Sequence, residues 1–193
     1  MVDSFYSEAE LAQLGLRACG RRVKISRLAS IHQPASLSVG DDSRIDDFCL
    51  LTGEIEIGRH VHVGAYTALY GARGIVLEAF SSLSARVTLY TESDDYAFGL
   101  GLTNPTVPQG FRHTLDHGPI RLERHAMVGC GTVILPATNI SAGTTVGALS
   151  LVRGDTEPWF IYAGVPATRR APRKKSIILE LEARLLALEE ENG

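Results

Sequence analysis

The chain has 193 residues, of which 45% are hydrophobic and 21% charged, the balance of one globular domain with short appendages; a disordered or collagen-like chain is excluded. Its formal net charge of -3 gives nucleic acid no general attraction, and no stretch reaches the roughly 18 apolar residues of a membrane span. Cys19, Cys49 and Cys130 are too few and too scattered for a disulfide framework or a CxxC metal site.

The N-terminus reads MVDSFYSEAE, with acids where a signal peptide carries basic residues and no apolar h-region, so the expected address is the cytoplasm. Ser7 with Glu10 has the spacing of a capping box, which predicts a helix from Glu8 to Ala18 stopped by Gly20.

A period of six then takes over. Ile45, Leu51, Ile57, Val63, Leu69 and Ile75 stand six apart, and after a two-residue slip the phase resumes at Leu77, Leu83 and Leu89. A second series runs Leu122, Val128, Ile134, Ile140, Val146 and Val152, each followed four residues later by a small residue: Ala126, Thr132, Thr138, Thr144, Ser150 and Thr156. Neither a helix, at 3.6 residues per turn, nor a simple strand, at 2, sustains such a period. It fits short strands joined by tight turns, three to a coil, with anchors pointing inward and stacking every eighteen residues at the parallel-strand spacing of about 4.8 Å. All-β architecture follows, with roughly six coils.

Residues 91–118 break the period with glycine, proline, acids, His113 and His117. A long irregular stretch inside a compact domain is commonly functional. Beyond the coils, Ile178, Leu181, Leu185 and Leu188 recur at steps of three and four, an amphipathic helix whose apolar stripe packs on its own body or on another subunit. The expected division is a helical segment over 1–20, the coil domain with its inserted loop over 21–164, and a basic linker with a C-terminal helix over 165–193.

The anchors, followed by IYAGVPATRRAPRKK from Ile161 to Lys175, resemble the hexapeptide-repeat acyltransferases. That resemblance implies a left-handed parallel β-helix, homotrimers with sites between neighbouring subunits, and acetyl-CoA lying along the C-terminal coils. SDDY at Ser93, NPTVP at Asn104 and GPIRLERHAMVGCG at Gly118 look most like enzymes that acetylate amino sugars on nucleotides, or sugars of surface polysaccharides. Where sugar O-acetyltransferases of the family carry a Thr-x-His-Pro histidine, the matching position here is approximately Asp94.

Acyl transfer needs a base, oxyanion stabilisation and two aligned reactants. His125 is the preferred base, at the corner of a resumed hexapeptide and with a near-neutral reference pKa; Asp94 and Asp95 are assigned to amine binding. Either aspartate could equally cap a turn, and the alternatives to His125 as base are the Asp94 carboxylate, which stands where the family's histidine is missing, and His113 or His117 on the loop. For coenzyme A, Gly129, Gly131, Ala148 and Gly164 offer backbone to the pantetheine arm, while Arg170 and Lys174 suit its phosphates. No metal is expected. The leading expectation is an acetyl-CoA-dependent N-acetyltransferase acting on a nucleotide-linked amino sugar in bacterial surface polysaccharide biosynthesis, lipopolysaccharide O-antigen included. Sugar O-acetylation and a non-catalytic β-helix scaffold are the alternatives.

Overall fold

A computed structural model of the protein describes residues 4–192. Short parallel strands stack into a β-helix with three faces. The first face carries Lys24–Ile25, Arg44–Ile45, His62–Val63, Ser82–Leu83, Met127–Val128 and Thr145–Val146. Antiparallel Phe160–Ala163 and Thr168–Pro172 close it. The second face runs from Ser30–Ile31 through Thr88–Tyr90 and Val133–Ile134 to Leu151–Val152. The third runs from Ala18–Cys19 through Leu37–Val39 and Ile120–Leu122 to Thr138–Ile140. Two long strands, Leu50–Ile57 and Ala68–Leu77, bend from the second face into the third.

Every anchor of the six-residue period is buried, and so are the small residues four positions on. The register is the expected one: Ile45 pairs with Val63, Leu51 with Leu69, and Val128 with Val146. The threonines and serines among these small residues also satisfy backbone groups at the corners through their hydroxyls. Thr132 Oγ1 donates to the Gly147 carbonyl at 3.0 Å, and Ser150 Oγ to the same carbonyl at 2.7 Å. The two-residue slip is a wider corner. Gly53 pairs with Gly71 but Ile55 pairs with Ile75, so residues 72–74 bulge outward before the phase resumes.

The three corners differ, and the differences place the functional surface. At the corner between the third and first faces, Arg22, Asp42, His60, Phe80, His125, Gly143 and Trp159 take positive φ in successive turns; this is the helix corner, because the C-terminal helix lies along it. Between the first and second faces, Gly129, Gly131, Gly147 and Ala148 mark the glycine corner. Between the second and third faces the insertion departs, giving the insertion corner.

Two local expectations change. The N-terminal helix α1 covers only Glu8–Leu11, one turn, and Ala18–Cys19 is already a strand paired with Leu37–Val39. Its capping box forms, with the Ser7 N–H and hydroxyl both donating to Glu10 Oε2 at 2.8 and 2.6 Å. One turn has little stability of its own, so the coil's pairing takes the segment that follows. Helix α2, Ser176–Asn192, docks through charge instead of its apolar stripe. Glu182 meets Arg124 and His125, and Glu189 meets Arg59 and His60, while Leu181 and Leu188 are more than half exposed.

Candidate active site

The insertion is not a structureless loop. Thr91, fully buried, donates its hydroxyl to the Tyr70 carbonyl at 2.7 Å, and the Gly118 N–H donates to the Thr91 carbonyl at 3.0 Å, closing the neck. Glu92–Asp94 pairs antiparallel with Thr114–His117, with a bulge between Ser93 and Asp94. This hairpin overhangs a cleft of roughly 560 Å³ on the insertion corner, lined by Gln33, Thr52, Glu54, Tyr70, Tyr90 and Asp94 among others, with Pro105 and Arg112 contributed by the insertion. Tyr70 and Tyr90 face each other across adjacent coils because their strands are in register, and their rings stack at 4.9 Å and 2°.

Charge in the cleft is compensated except at two residues. Glu54 pairs with Arg17 at 2.9 Å and Glu92 with Arg73 at 2.5 Å. Asp94, exposed, accepts only the Asn104 N–H, on Oδ2 at 3.1 Å, and has no ion pair among the described residues. Arg112 has none either: Nη2 donates weakly to Gln109 Oε1 at 3.4 Å, and its buried Nε has no partner. The cleft therefore presents one carboxylate and one guanidinium with capacity to spare, beside an aromatic wall. Such a surface suits a ligand carrying both an ammonium and an anionic group.

Asp95 is adjacent in sequence and different in role. Its carboxylate has no exposure and is filled by loop N–H groups, so it does not join Asp94 in holding an amine. His113 Nδ1 lies 3.7 Å from Asp95 Oδ2, behind the cleft wall, and His117 pairs with Glu92 in the hairpin stem.

His125 is elsewhere. It stands at the helix corner, at the far end of the third face from Asp94, 9% exposed, its ring stacked on Phe80 at 5.4 Å and tilted by 41° to Trp159 at 6.1 Å. Its Nε2 is 2.7 Å from Glu182 Oε2. One chain thus separates the expected base from the expected amine site, and α2 covers the imidazole. Burial, with Arg124 and Arg173 alongside, pushes the His125 pKa below its ordinary 6.5. The unfolded chain binds that proton first, so His125 supports stability above about pH 6.5, and the contribution is lost as the pH falls toward the depressed value. The wild-type urea midpoint is expected to drop between about pH 7.5 and about pH 5.5, and His125→Gln to drop less; equal drops would remove His125 from the linkage.

The residues expected at coenzyme A divide. Gly129, Gly131, Ala148 and Gly164 all fall on the glycine corner, and Arg170 joins them, donating from Nε and Nη2 to the Ala163 carbonyl at 3.2 and 3.1 Å. The coil itself requires one of these glycines, since a Cβ at Gly129 would lie 2.5 Å from the Ala148 nitrogen; Gly131 takes φ +70°, but Phe48, Tyr66, Arg86 and Leu149 take the same left-handed conformation at this corner with side chains. Lys174 does not join them. Thr168–Pro172 runs back along the first face, the Arg173 N–H donates to the Trp159 carbonyl, and Lys174 is carried to the helix corner. Arg173 also donates to the carbonyls of His125 and Gly143, both at 2.8 Å, which fixes it as a corner tie. Sequence reasoning missed Arg112. Its importance lies in Glu54 and Glu92 being paired while only it and Asp94 are left with capacity to spare, which no local pattern displays.

A solenoid of hexapeptides with a polar cleft on one corner and a glycine edge on the next defines a class, and the chain belongs to the hexapeptide-repeat acyltransferases of left-handed β-helix fold. No protein-family model matches it. A dTDP-4-amino-4,6-dideoxy-D-glucose acyltransferase of Escherichia coli is 32% identical over 183 residues, 93% of this chain and 94% of that one. AntD, an N-acyltransferase from Bacillus cereus solved with dTDP and 3-hydroxybutyryl-CoA, is 39% identical, with a TM-score of 0.92 over 100% of both chains. A putative lipopolysaccharide biosynthesis O-acetyl transferase, WbbJ of Escherichia coli, is 26% identical over 72% of this chain and 69% of its own.

Proposed function

We propose that the protein moves an acetyl group from acetyl-CoA to the amine of a nucleotide-linked amino sugar, with Asp94 as the group that binds the amine and takes its proton. The observation that carries this reading is the pair of uncompensated charges in the cleft, Asp94 and Arg112, in a chain 39% identical to AntD. Variants of AntD at its Ser84 have been solved with dTDP-4-amino-4,6-dideoxyglucose and coenzyme A, and variants at its Asp94 with dTDP and coenzyme A. The same residue types stand at those numbers here.

The amine arrives as an ammonium, is held by the Asp94 carboxylate and gives up a proton to it, directly or through water. The freed nitrogen lone pair attacks the thioester carbonyl; as the tetrahedral intermediate collapses the C–S bond breaks, the nitrogen gives up its second proton to the departing thiolate, and the amide and the free thiol of coenzyme A result, while Asp94 passes the first proton to water. Arg112 holds the diphosphate of the acceptor. Arg112→Ala is expected to raise the acceptor KM about 10- to 100-fold, the worth of charged hydrogen bonds at roughly 1.5–3 kcal/mol, with the acetyl-CoA KM unchanged. Steady-state kinetics with both substrates varied will show it, and an unchanged acceptor KM would remove Arg112 from the acceptor site.

Ser84 lies on the glycine corner, at the opposite end of the second face from the insertion corner that carries Asp94. A site using both residues takes them from two copies, which supports a homotrimer with coenzyme A along the glycine corner of one subunit and the acceptor in the cleft of the next. Gly164, Ala148, Gly131 and Gly129 lead down that edge toward Ser84, with Arg170 at its upper end. Tyr96, Phe98, Leu100 and Phe111 are all at least 66% exposed on the insertion, an apolar patch of the kind that another chain covers. Sedimentation is expected to show a trimer; a stable, fully active monomer would end the shared-site reading.

Among the described residues no helix is long and apolar enough to cross a membrane, and water-soluble nucleotide-sugar and acetyl-CoA substrates fit a cytoplasmic step in surface polysaccharide assembly. The acceptor class is tested by thiol release from acetyl-CoA with nucleotide-linked amino sugars and their hydroxyl counterparts. Turnover confined to the amines supports the reading, and turnover confined to the hydroxyls would make the protein an O-acetyltransferase.

A further inference from the structure

We infer that Asp95 is a positioning residue for acyl transfer: its buried carboxylate folds the head of the insertion and so sets the wall and the free carboxylate of the acceptor cleft. This rests on the reading of that cleft as the acceptor site.

Oδ1 accepts the N–H groups of Ala97 at 3.0 Å and Phe98 at 2.7 Å, and Oδ2 accepts that of Leu100 at 2.7 Å. The Asp95 N–H is itself tied at 3.0 Å to the carbonyl of His113, the residue just before the returning strand. One side chain thus gathers three backbone donors of a turn and anchors that turn to both strands of the hairpin. These N–H groups hold the Asp95 carboxyl below the usual range, so it stays ionised and acceptor-only, as a three-donor hub requires.

What the hub supports is the cleft. Immediately before it stands Asp94, whose Oδ2 accepts the Asn104 N–H; immediately beyond the gathered turn, the Leu102 N–H donates to the Phe111 carbonyl at 2.8 Å. Pro105 and Arg112, the two residues that the insertion's head adds to the cleft lining, lie on the segment so closed. Residues 96–101 are largely exposed, so no apolar core of their own fixes them. The carboxylate takes that place, and the stack of coils does not depend on it.

The test uses the full chain with Asp95→Asn and Asp95→Ala. Asparagine keeps one carbonyl oxygen for two donors and turns its own N–H toward the third; alanine keeps none. The acceptor KM is expected to rise about tenfold in Asp95→Asn and about a hundredfold in Asp95→Ala, with the acetyl-CoA KM, the pH profile of kcat and the thermal midpoint near wild type. Hydrogen exchange at the amides of Ala97, Phe98 and Leu100 should quicken in the same order. Faster exchange with an unchanged acceptor KM would make Asp95 a purely structural anchor, and a raised KM with unchanged exchange would make it a direct ligand contact; either overturns the inference. Should the wild type acylate no nucleotide-linked amine, the functional reading fails by that fact, while unchanged exchange in both variants would still refute the hub.

Discussion

Asp94→Asn is expected to lower turnover by about 10²- to 10⁴-fold, the usual loss when a general base is removed, with little effect on binding of the acceptor's free nucleotide or of coenzyme A. Asparagine has nearly the same shape and can still accept the Asn104 N–H, so the insertion should keep its fold; the charge that attracts an ammonium and the site that takes its proton are lost. The free nucleotide carries no amine, and its affinity should therefore survive. His125→Ala is the complementary variant. With its imidazole under α2 against Glu182, its loss should cost stability and leave kcat near wild type at a temperature well below unfolding. Full turnover in Asp94→Asn with loss in His125→Ala, measured by thiol release, would reverse the assignment.

Leu89→Ala is expected to destabilise the fold by about 2–5 kcal/mol. Leu89 is fully buried and stacks between Leu69 below and Ile134 above, so truncation opens a cavity between coils that three backbones cannot collapse around. Phe98→Ser, on the exposed face of the insertion, should change the stability of a single chain by less than about 0.5 kcal/mol. Urea unfolding at fixed protein concentration compares them, because assembly links stability to concentration. Equal effects would mean that the inward anchors are not what holds the solenoid.

Those anchors were legible because a period of six repeats the same burial at every turn, and local repetition is what sequence displays best. The slip after Ile75 was visible as a number; its cause, a corner widened by residues 72–74 beside the cleft, needs the register. The hairpin within the insertion was hidden for another reason. Glu92–Asp94 and Thr114–His117 lack apolar alternation, and a bulge, a neck threonine and the Asp95 carboxylate hold the insertion instead. Asp94 was placed by family resemblance, and the structure puts it in the cleft. His125 was favoured for its intrinsic acidity and its rigid corner, yet Glu182, which occupies it, lies 57 residues along the chain. Lys174 sat near Arg170 in sequence, but the return strand Thr168–Pro172 carries the two to different corners.

The most direct test of acyl transfer to an amine at this cleft is the product itself. Wild-type protein incubated with acetyl-CoA and a nucleotide-linked amino sugar that it turns over is expected to yield one acetyl group per sugar, attached through an amide whose N–H couples to the sugar proton in the NMR spectrum. An ester on a sugar hydroxyl, or free coenzyme A released with the sugar unchanged, would contradict the account.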